Sequence, residues 1–114
     1  MDPFNPQKKR QLEKKIQNKI GDMLERKGWF VKDTHGSMFS SGWPDVYASH
    51  KVYGIRWIEV KLPKMKGSKF TPAQLDVFPK FTANGSGIWI LTADTQSEYD
   101  KLFKDYNWHH YLYK

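Results

Sequence analysis

Three charged side chains in the middle of the chain have the types and spacing that suit metal-assisted hydrolysis of a phosphodiester. Glu59 and Lys61 stand two residues apart in a segment rich in branched and aromatic residues, so a strand would place both on one face of a sheet. Asp45 begins the preceding strand-like segment, and a hairpin turn at residues 50–54 would bring it level with Glu59. Burying such charges without a function is costly. These three residues are therefore predicted to be catalytic.

The two carboxylates predict a site for a divalent metal ion. Asp45 and Glu59 offer the hard oxygen ligands that Mg²⁺ prefers, with the carbonyl of Val60 as a third ligand and Mn²⁺ as an expected substitute. The ion would polarise the scissile phosphate and lower the pKa of a bound water. Lys61 would orient the attacking water or neutralise the charge that develops on the phosphate. The alternative is an ordinary cross-strand cluster of Asp45 and Glu59 with Lys61 and Arg56.

The periodicity of the apolar residues predicts the elements that hold these side chains. Helices are predicted from residues 5–6 to a left-handed cap at Gly28, from Thr71-Pro72 to about Thr82, and from Ser97 to about Tyr106. Strands are predicted at residues 29–32, 45–49, 55–62 and 87–92. Pro79 is expected to kink or shorten the second helix, and the aromatic tail that follows the last helix has no clear assignment. This order predicts an α/β fold with a single mixed β-sheet flanked by helices, in one domain over residues 1–114 with a core of about 7–106.

The first predicted helix carries an apolar stripe and one further candidate for the site. The stripe consists of Leu12, Ile16, Ile20, Met23 and Leu24. Glu13 and Gln17 lie one turn apart along its edge, so both could face inward. Glu13 is predicted to reach the metal ion directly or through water, with Gln17 in support. The alternative is a solvated charge at Glu13, paired with Gln17 or Lys9.

The charge balance favours a polyanionic partner. The chain has 114 residues, with 19 Lys and Arg against 12 Asp and Glu, for a net charge of +7. In a small domain this excess points to nucleic acid. The basic loop of Lys64, Lys66 and Lys69 directly follows the strand that carries Glu59 and Lys61, so it is predicted to contact the phosphates of a nucleic acid without reading sequence. The alternative for this loop is simple solvation.

Composition excludes several classes of protein. Hydrophobic residues make up 39% and charged residues 27%, which is typical of a globular rather than a disordered chain. No apolar stretch approaches the roughly 18 residues that span a bilayer. The first residues lack the apolar run of a signal peptide, and without cysteine there is no disulfide framework or thiolate zinc site. We expect a cytoplasmic protein, in a bacterium or a phage-infected host cell, with no membrane association.

The segments around these residues resemble the VRR-NUC family of phage, bacterial and repair nucleases, within the PD-(D/E)XK superfamily. Pro44-Asp45 and Glu59-Val60-Lys61 match the two halves of the superfamily signature. The resemblance runs from about Glu13 to Thr92 and also includes Glu13-Lys14-Lys15-Ile16-Gln17, His35-Gly36-Ser37, Gly42-Trp43-Pro44-Asp45 and Thr71-Pro72-Ala73-Gln74. It implies an αβββαβ restriction-endonuclease-like core, a divalent metal and DNA as the substrate.

The resemblance also implies roles and partners. The family's motif residues fall on Glu13, Asp45, Glu59 and Lys61, and its later glutamine falls on Gln74. Gln74 is therefore expected to be catalytic, although it could instead only brace the helix that it opens. Small stand-alone phage members and the related archaeal Holliday-junction resolvases act as homodimers on branched DNA. A homodimer that cuts branched DNA, such as a Holliday junction, is expected for this chain.

Polar residues in the loop before Asp45 complete the predicted DNA contacts. They are His35, Ser37 and Ser41, and a structural hydrogen bond is the alternative for His35. Together these features predict a Mg²⁺-dependent, structure-selective DNA endonuclease. Two alternatives stay open: a non-catalytic DNA-binding module on the same fold, and a restriction or homing-type endonuclease that reads sequence.

Overall fold

One mixed sheet with helices on both faces makes up the fold. The computed structural model describes residues 6–34, 41–65 and 69–112. The elements are α1 (Pro6–Arg26), β1 (Phe30–Asp33), β2 (Val46–His50), β3 (Gly54–Val60), α2 (Pro72–Ala83), β4 (Ile88–Leu91) and α3 (Gln96–Asp100). The strands lie in the order β1-β2-β3-β4; the first two pairs are antiparallel and β4 is parallel to β3. The predicted α/β fold with a mixed sheet flanked by helices is confirmed. In these stretches, no helix combines the length and apolar character needed to cross a membrane.

Alternation along the strands gives the sheet two faces with separate cores. One face packs against α1 and α3 and contributes Val46, Ala48, Ile58, Val60 and Leu91 to its core. The other face packs against α2, where Phe78 meets Ile88 and Ile90. Glu59 alternates with Ile58 and Val60, so its side chain lies on the α2 face of the sheet.

The helix α1 contributes to the core mainly through its second half. Ile20 and Leu24 are fully buried there, and Gly28 ends the helix with a positive φ of 92°, as its position predicts. The amide of Trp29 then donates to the carbonyl of Leu24 at 3.0 Å, which completes the C-terminal cap. Leu12, however, is 51% exposed, so the predicted apolar stripe is wrong at that position. The first half of α1 extends beyond the packed core.

One predicted helix end is confirmed and another needs correction. The helix α2 continues through Pro79 to Ala83, close to the predicted end at Thr82, so Pro79 does not shorten it. Pro79 and Leu75 are both exposed, and water can satisfy the Leu75 carbonyl, which receives no hydrogen bond from the proline nitrogen. The last helix is much shorter than predicted, because α3 ends at Asp100 and a 3₁₀ turn (Lys101–Phe103) follows.

The early end of α3 follows from side chains that use the carbonyls beyond it. Arg56 Nε donates to the carbonyl of Leu102 at 2.7 Å, and Trp89 Nε1 donates to the carbonyl of Lys104 at 3.0 Å. These groups are therefore bonded to the sheet and not to a continuing helix. In the tail, the buried ring of Trp108 opens a 3₁₀ turn (Trp108–Tyr111) and packs on the α2 side of the sheet.

Candidate active site

Asp45 and Glu59 are buried next to each other at one end of the sheet. Val46 pairs with Ile58 across β2 and β3, which brings Asp45 beside Glu59. The amide of Asp45 donates to Glu59 Oε1 at 3.1 Å, and the amide of Val60 donates to Asp45 Oδ2 at 2.8 Å. Each carboxylate thus accepts from the backbone of the other strand. Their exposed fractions are 7% for Asp45 and 2% for Glu59.

Backbone contacts of the preceding loop fix Asp45. Thr34, just after β1, donates from its hydroxyl to the carbonyl of Pro44 and from its amide to the carbonyl of Asp45. Gly42 has a φ of 81°, and a Cβ there would lie 2.5 Å from the carbonyl oxygen of Ala73 in α2. Only glycine fits this close approach, so the Gly42-Trp43-Pro44-Asp45 segment is held against the start of α2.

Lys61 directly follows β3 and is held from several sides. Its ammonium lies 3.2 Å from Glu59 Oε2 and donates to Gln74 Oε1 at 3.1 Å and to the carbonyl of Lys69 at 3.0 Å. The same nitrogen lies 5.0 Å from the centre of the Phe70 ring. The side chain is 4% exposed, so this ammonium is desolvated but fully supplied with acceptors.

Gln74 connects the start of α2 to these charges. It forms a capping box with Thr71, in which the Gln74 amide donates to Thr71 Oγ1 and the Thr71 amide donates to Gln74 Oε1. Gln74 Nε2 also donates to Glu59 Oε2 at 2.7 Å. Gln74 therefore braces the helix and also lies beside Glu59 and Lys61, and its catalytic role stays a prediction. We call Asp45, Glu59, Lys61 and Gln74 the polar cluster.

The environment raises the pKa of Glu59 well above the usual value of a glutamate. Burial is the largest cause, and the negative charge of Asp45 adds to it. The charge of Lys61 and the hydrogen bonds from Gln74 and Lys61 act in the opposite direction and are outweighed. With both carboxylates ionised, the cluster has two negative charges against one ammonium, so a cation placed beside Asp45 and Glu59 would be attracted.

The structure places Glu13 at the same end of the sheet but outside the polar cluster. It is half-buried on α1, which packs on the face opposite to α2. Lys14, its neighbour, pairs with Asp33, and Asp33 is in register with Val46, so α1 passes this end of the sheet. Among residues 6–34, 41–65 and 69–112, no three His, Cys, Asp or Glu side chains converge to hold a metal ion. The role of Glu13 at the metal ion, directly or through water, stays a prediction.

The residues predicted to contact DNA fall into two groups. Ser41, Lys64 and Lys69 are exposed, and Lys69 also supplies the carbonyl that accepts from Lys61. Lys64 lies in a 3₁₀ turn (Pro63–Met65) close after Lys61 in the chain. The other predicted contacts, His35, Ser37 and Lys66, lie outside the described residues.

Sequence reasoning missed the aromatic residues that support the cluster. Phe70 lies under the Lys61 ammonium and contacts Phe78 and Trp108 edge to face, at 5.7 and 6.1 Å between ring centres. Trp43, next to Pro44 in the signature, packs edge to face on Trp57 and on Phe81. The available signals were an aromatic residue directly before the Thr71 cap and one inside the signature.

Comparison with known proteins gives one structural relative. No protein-family model and no curated protein sequence matches this chain. A solved structure described as a VRR_NUC domain superposes with a TM-score of 0.61 over 82% of this chain and 96% of that chain, at 22% sequence identity. At this level of sequence identity, the match shows a shared fold and no more. The chain therefore has the fold of a VRR_NUC domain.

Proposed function

We propose that this chain is a metal-dependent nuclease that hydrolyses phosphodiester bonds in DNA. The observation that carries the proposal is the polar cluster: two carboxylates, an ammonium and an amide, nearly all removed from water at one end of the sheet. Such burial costs stability, and a cluster of apolar side chains would serve the fold better. The fold of a VRR_NUC domain supports the same conclusion. Membership of the VRR-NUC family is part of the proposal, supported by Pro44-Asp45 and Glu59-Val60-Lys61.

The donor set suits Mg²⁺. Asp45 and Glu59 are adjacent hard oxygen donors. Burial, and then the charge of Asp45, raise the pKa of Glu59, and a bound cation would offset both. Mg²⁺ commonly keeps several waters and takes only one or two carboxylates from the protein, so two such ligands are enough. Asp45 and Glu59 would hold the ion, with the Val60 carbonyl as a third ligand and Glu13 acting through water. When bound, the ion would act as a Lewis acid and would lower the pKa of a coordinated water.

The fixed ammonium of Lys61 is the second chemical element of the proposal. Three oxygen acceptors and the Phe70 ring hold it in place, so it needs no rearrangement when a phosphate arrives. Its positive charge would stabilise the negative charge that builds on the phosphate oxygens as the attacking water approaches phosphorus. Gln74, bonded to both Glu59 and Lys61, keeps the distance between the carboxylate and the ammonium constant.

Branched DNA and a homodimer form the finer part of the proposal. A second copy would place a second active site on the opposing strand, and the open part of the α2 face offers it a surface. There, Phe30 is 64% exposed and Ile55 52% exposed, beside a half-buried Tyr47. We expect a dimer by sedimentation velocity at micromolar concentration, and a Phe30→Ser variant to shift toward the monomer. A wild-type monomer would contradict this part.

A cleavage panel tests the proposed function. Duplex, single strand, flap, fork and four-way junction are each incubated with Mg²⁺, Mn²⁺ or chelator, with Lys61→Met as the matched inactive control. We expect cleavage of branched substrates with either metal and none with chelator. DNA binding without cleavage at any metal concentration would identify a non-catalytic binding module. Discrete cuts in linear duplex, independent of branching, would identify an enzyme that reads sequence.

A further inference from the structure

The positive charge of this chain is concentrated in the first half of α1. Residues 6–19 contain six Lys or Arg and one acidic residue, Glu13, which gives a net charge of +5 out of +7 for the whole chain. The remaining residues are thus close to neutral. Lys8, Lys15 and Lys19 share one side of α1, and Arg10 and Lys14, four residues apart, share another. We call these five residues together the basic surface of α1. Of these, Arg10, Lys15 and Lys19 are exposed, and the side chain of Lys14 is 49% exposed.

This placement of charge is unfavourable for the helix itself. The first turn of α1 contains no acidic residue, and Lys8 and Arg10 lie close to the helix N-terminus, where cations oppose the helix dipole. Lys15 and Lys19 are four residues apart, a spacing at which like charges repel on a helix surface. A polyanion would relieve both effects. A solvated surface would be served equally well by charges of mixed sign.

The basic surface lies at the same end of the sheet as the polar cluster, on the opposite face. The ion pair between Lys14 and Asp33 ties this part of α1 to the end of β1. Asp33 pairs with Val46, which directly follows Asp45. From Lys8 to Lys19 the surface is about 16 Å long, at about 1.5 Å per residue. That length runs alongside roughly five base pairs of duplex at about 3.4 Å each.

From these observations we propose that the basic surface of α1 binds the phosphate backbone of the DNA substrate and guides it to the polar cluster. The proposal deepens the proposed function and rests on it for the identity of the polyanion. The contacts are with phosphates, so they contribute affinity and salt dependence and do not select a sequence. The exposed cations of α1 thereby extend the binding surface beyond the loop of Lys64 and Lys69.

The test compares two matched pairs of exposed lysines in an Asp45→Asn background, which binds DNA without cutting it. Lys15→Gln with Lys19→Gln removes two charges from the basic surface, and Lys51→Gln with Lys104→Gln removes two charges elsewhere. Binding of a fluorescent DNA duplex is followed by anisotropy between about 50 and 200 mM salt. For the α1 pair we expect the slope of log K against log salt to fall by about 1.8, at about 0.9 per phosphate contact, with at least about tenfold weaker binding. The Lys51 and Lys104 pair should leave the slope nearly unchanged.

The outcomes separate this inference from the proposed function. Equal slopes for the two pairs, or no DNA binding at all, would overturn the inference. Cleavage by the wild type together with equal slopes would leave the nuclease proposal intact and reject the role of α1. A salt slope that falls for the α1 pair, without any cleavage by the wild type, would support the role of α1 and reject the nuclease proposal. Circular dichroism and melting temperature check the fold, and we expect the α1 pair to melt no lower than its parent.

Discussion

At the end of β3, where Ile58, Glu59 and Val60 are all buried, the two faces of the strand differ in chemistry. Ile58 and Val60 are fully buried in the core beneath α1, while Glu59 between them is 2% exposed and faces α2. One face is stabilised by the removal of apolar surface from water, and the other carries charges whose desolvation is offset by hydrogen bonds. The comparison teaches that burial alone does not identify a structural core. On this one strand, Ile58 and Val60 stabilise the fold, and Glu59 between them belongs to the proposed active site.

The core beneath α1 is expected to contribute strongly to the stability of the fold. Ile58→Ala should lower the free energy of unfolding by about 3 kcal/mol, since it removes buried methylene groups and leaves a cavity. Urea denaturation measures this change. The matched control on the same strand is Ile55→Ala, at a position that is 52% exposed, where we expect a loss below about 1 kcal/mol. Equal losses for the two variants would contradict the assignment of the core.

The charge of Glu59 in the polar cluster is expected to matter little for the stability of the fold in the absence of metal. Glu59→Gln removes a buried charge and the repulsion by Asp45. Against this, it loses one hydrogen bond, because its amide nitrogen faces a donor, and the ion pair with Lys61 becomes a hydrogen bond to a neutral oxygen. In chelator at pH 8 its free energy of unfolding should lie within about 1 kcal/mol of the wild type. Because the pKa of Glu59 is raised in the folded state, the wild type should lose stability relative to the variant as the pH rises above about 5. If the free energies of unfolding of the wild type and Glu59→Gln differ by the same amount from about pH 5 to about pH 8, the raised pKa is contradicted.

A partly exposed ion pair outside the cluster provides the contrasting case. Burial by itself raises the pKa of Glu98, but hydrogen bonds from Lys101 and from the amide and hydroxyl of Thr92 outweigh it, so the pKa is lowered. The stabilisation is therefore present at neutral pH and is lost as the pH falls through the lowered pKa. Glu98→Gln should cost about 1 kcal/mol at pH 7, and the difference should shrink below about pH 4. Asp76→Asn, in the exposed pair with Lys80, should change little, and a pH-independent loss in Glu98→Gln would reject the interpretation.

Much of the fold followed from local patterns in the sequence. The caps at Gly28 and at Thr71 with Gln74 depend on neighbouring residues, so their types predicted the ends of α1 and the start of α2. The end of α3 did not follow, because Arg56 and Trp89 reach its carbonyls from distant strands. The exposure of Leu12 likewise depends on where the sheet ends. Neither the end of α3 nor the exposure of Leu12 is determined by residues nearby in the chain.

The candidate site was predictable to a similar degree. Spacing in one strand placed Glu59 and Lys61 on one face, and the hairpin placed Asp45 beside Glu59. The position of Glu13 relative to them depends on how α1 crosses the sheet, which the helix sequence does not specify. The support of Lys61 by Phe70 and Trp108 required knowledge of the tertiary packing of the tail.

The most direct test of the central claim is cleavage by Asp45→Asn in Mg²⁺. The substitution keeps the size of the side chain and an oxygen that can accept from the amide of Val60, and it removes the negative charge. Under single-turnover conditions on a branched substrate, we predict a rate at least about a thousandfold below the wild type, with DNA affinity within about threefold. Cleavage by Asp45→Asn at the wild-type rate would contradict the assignment of this site.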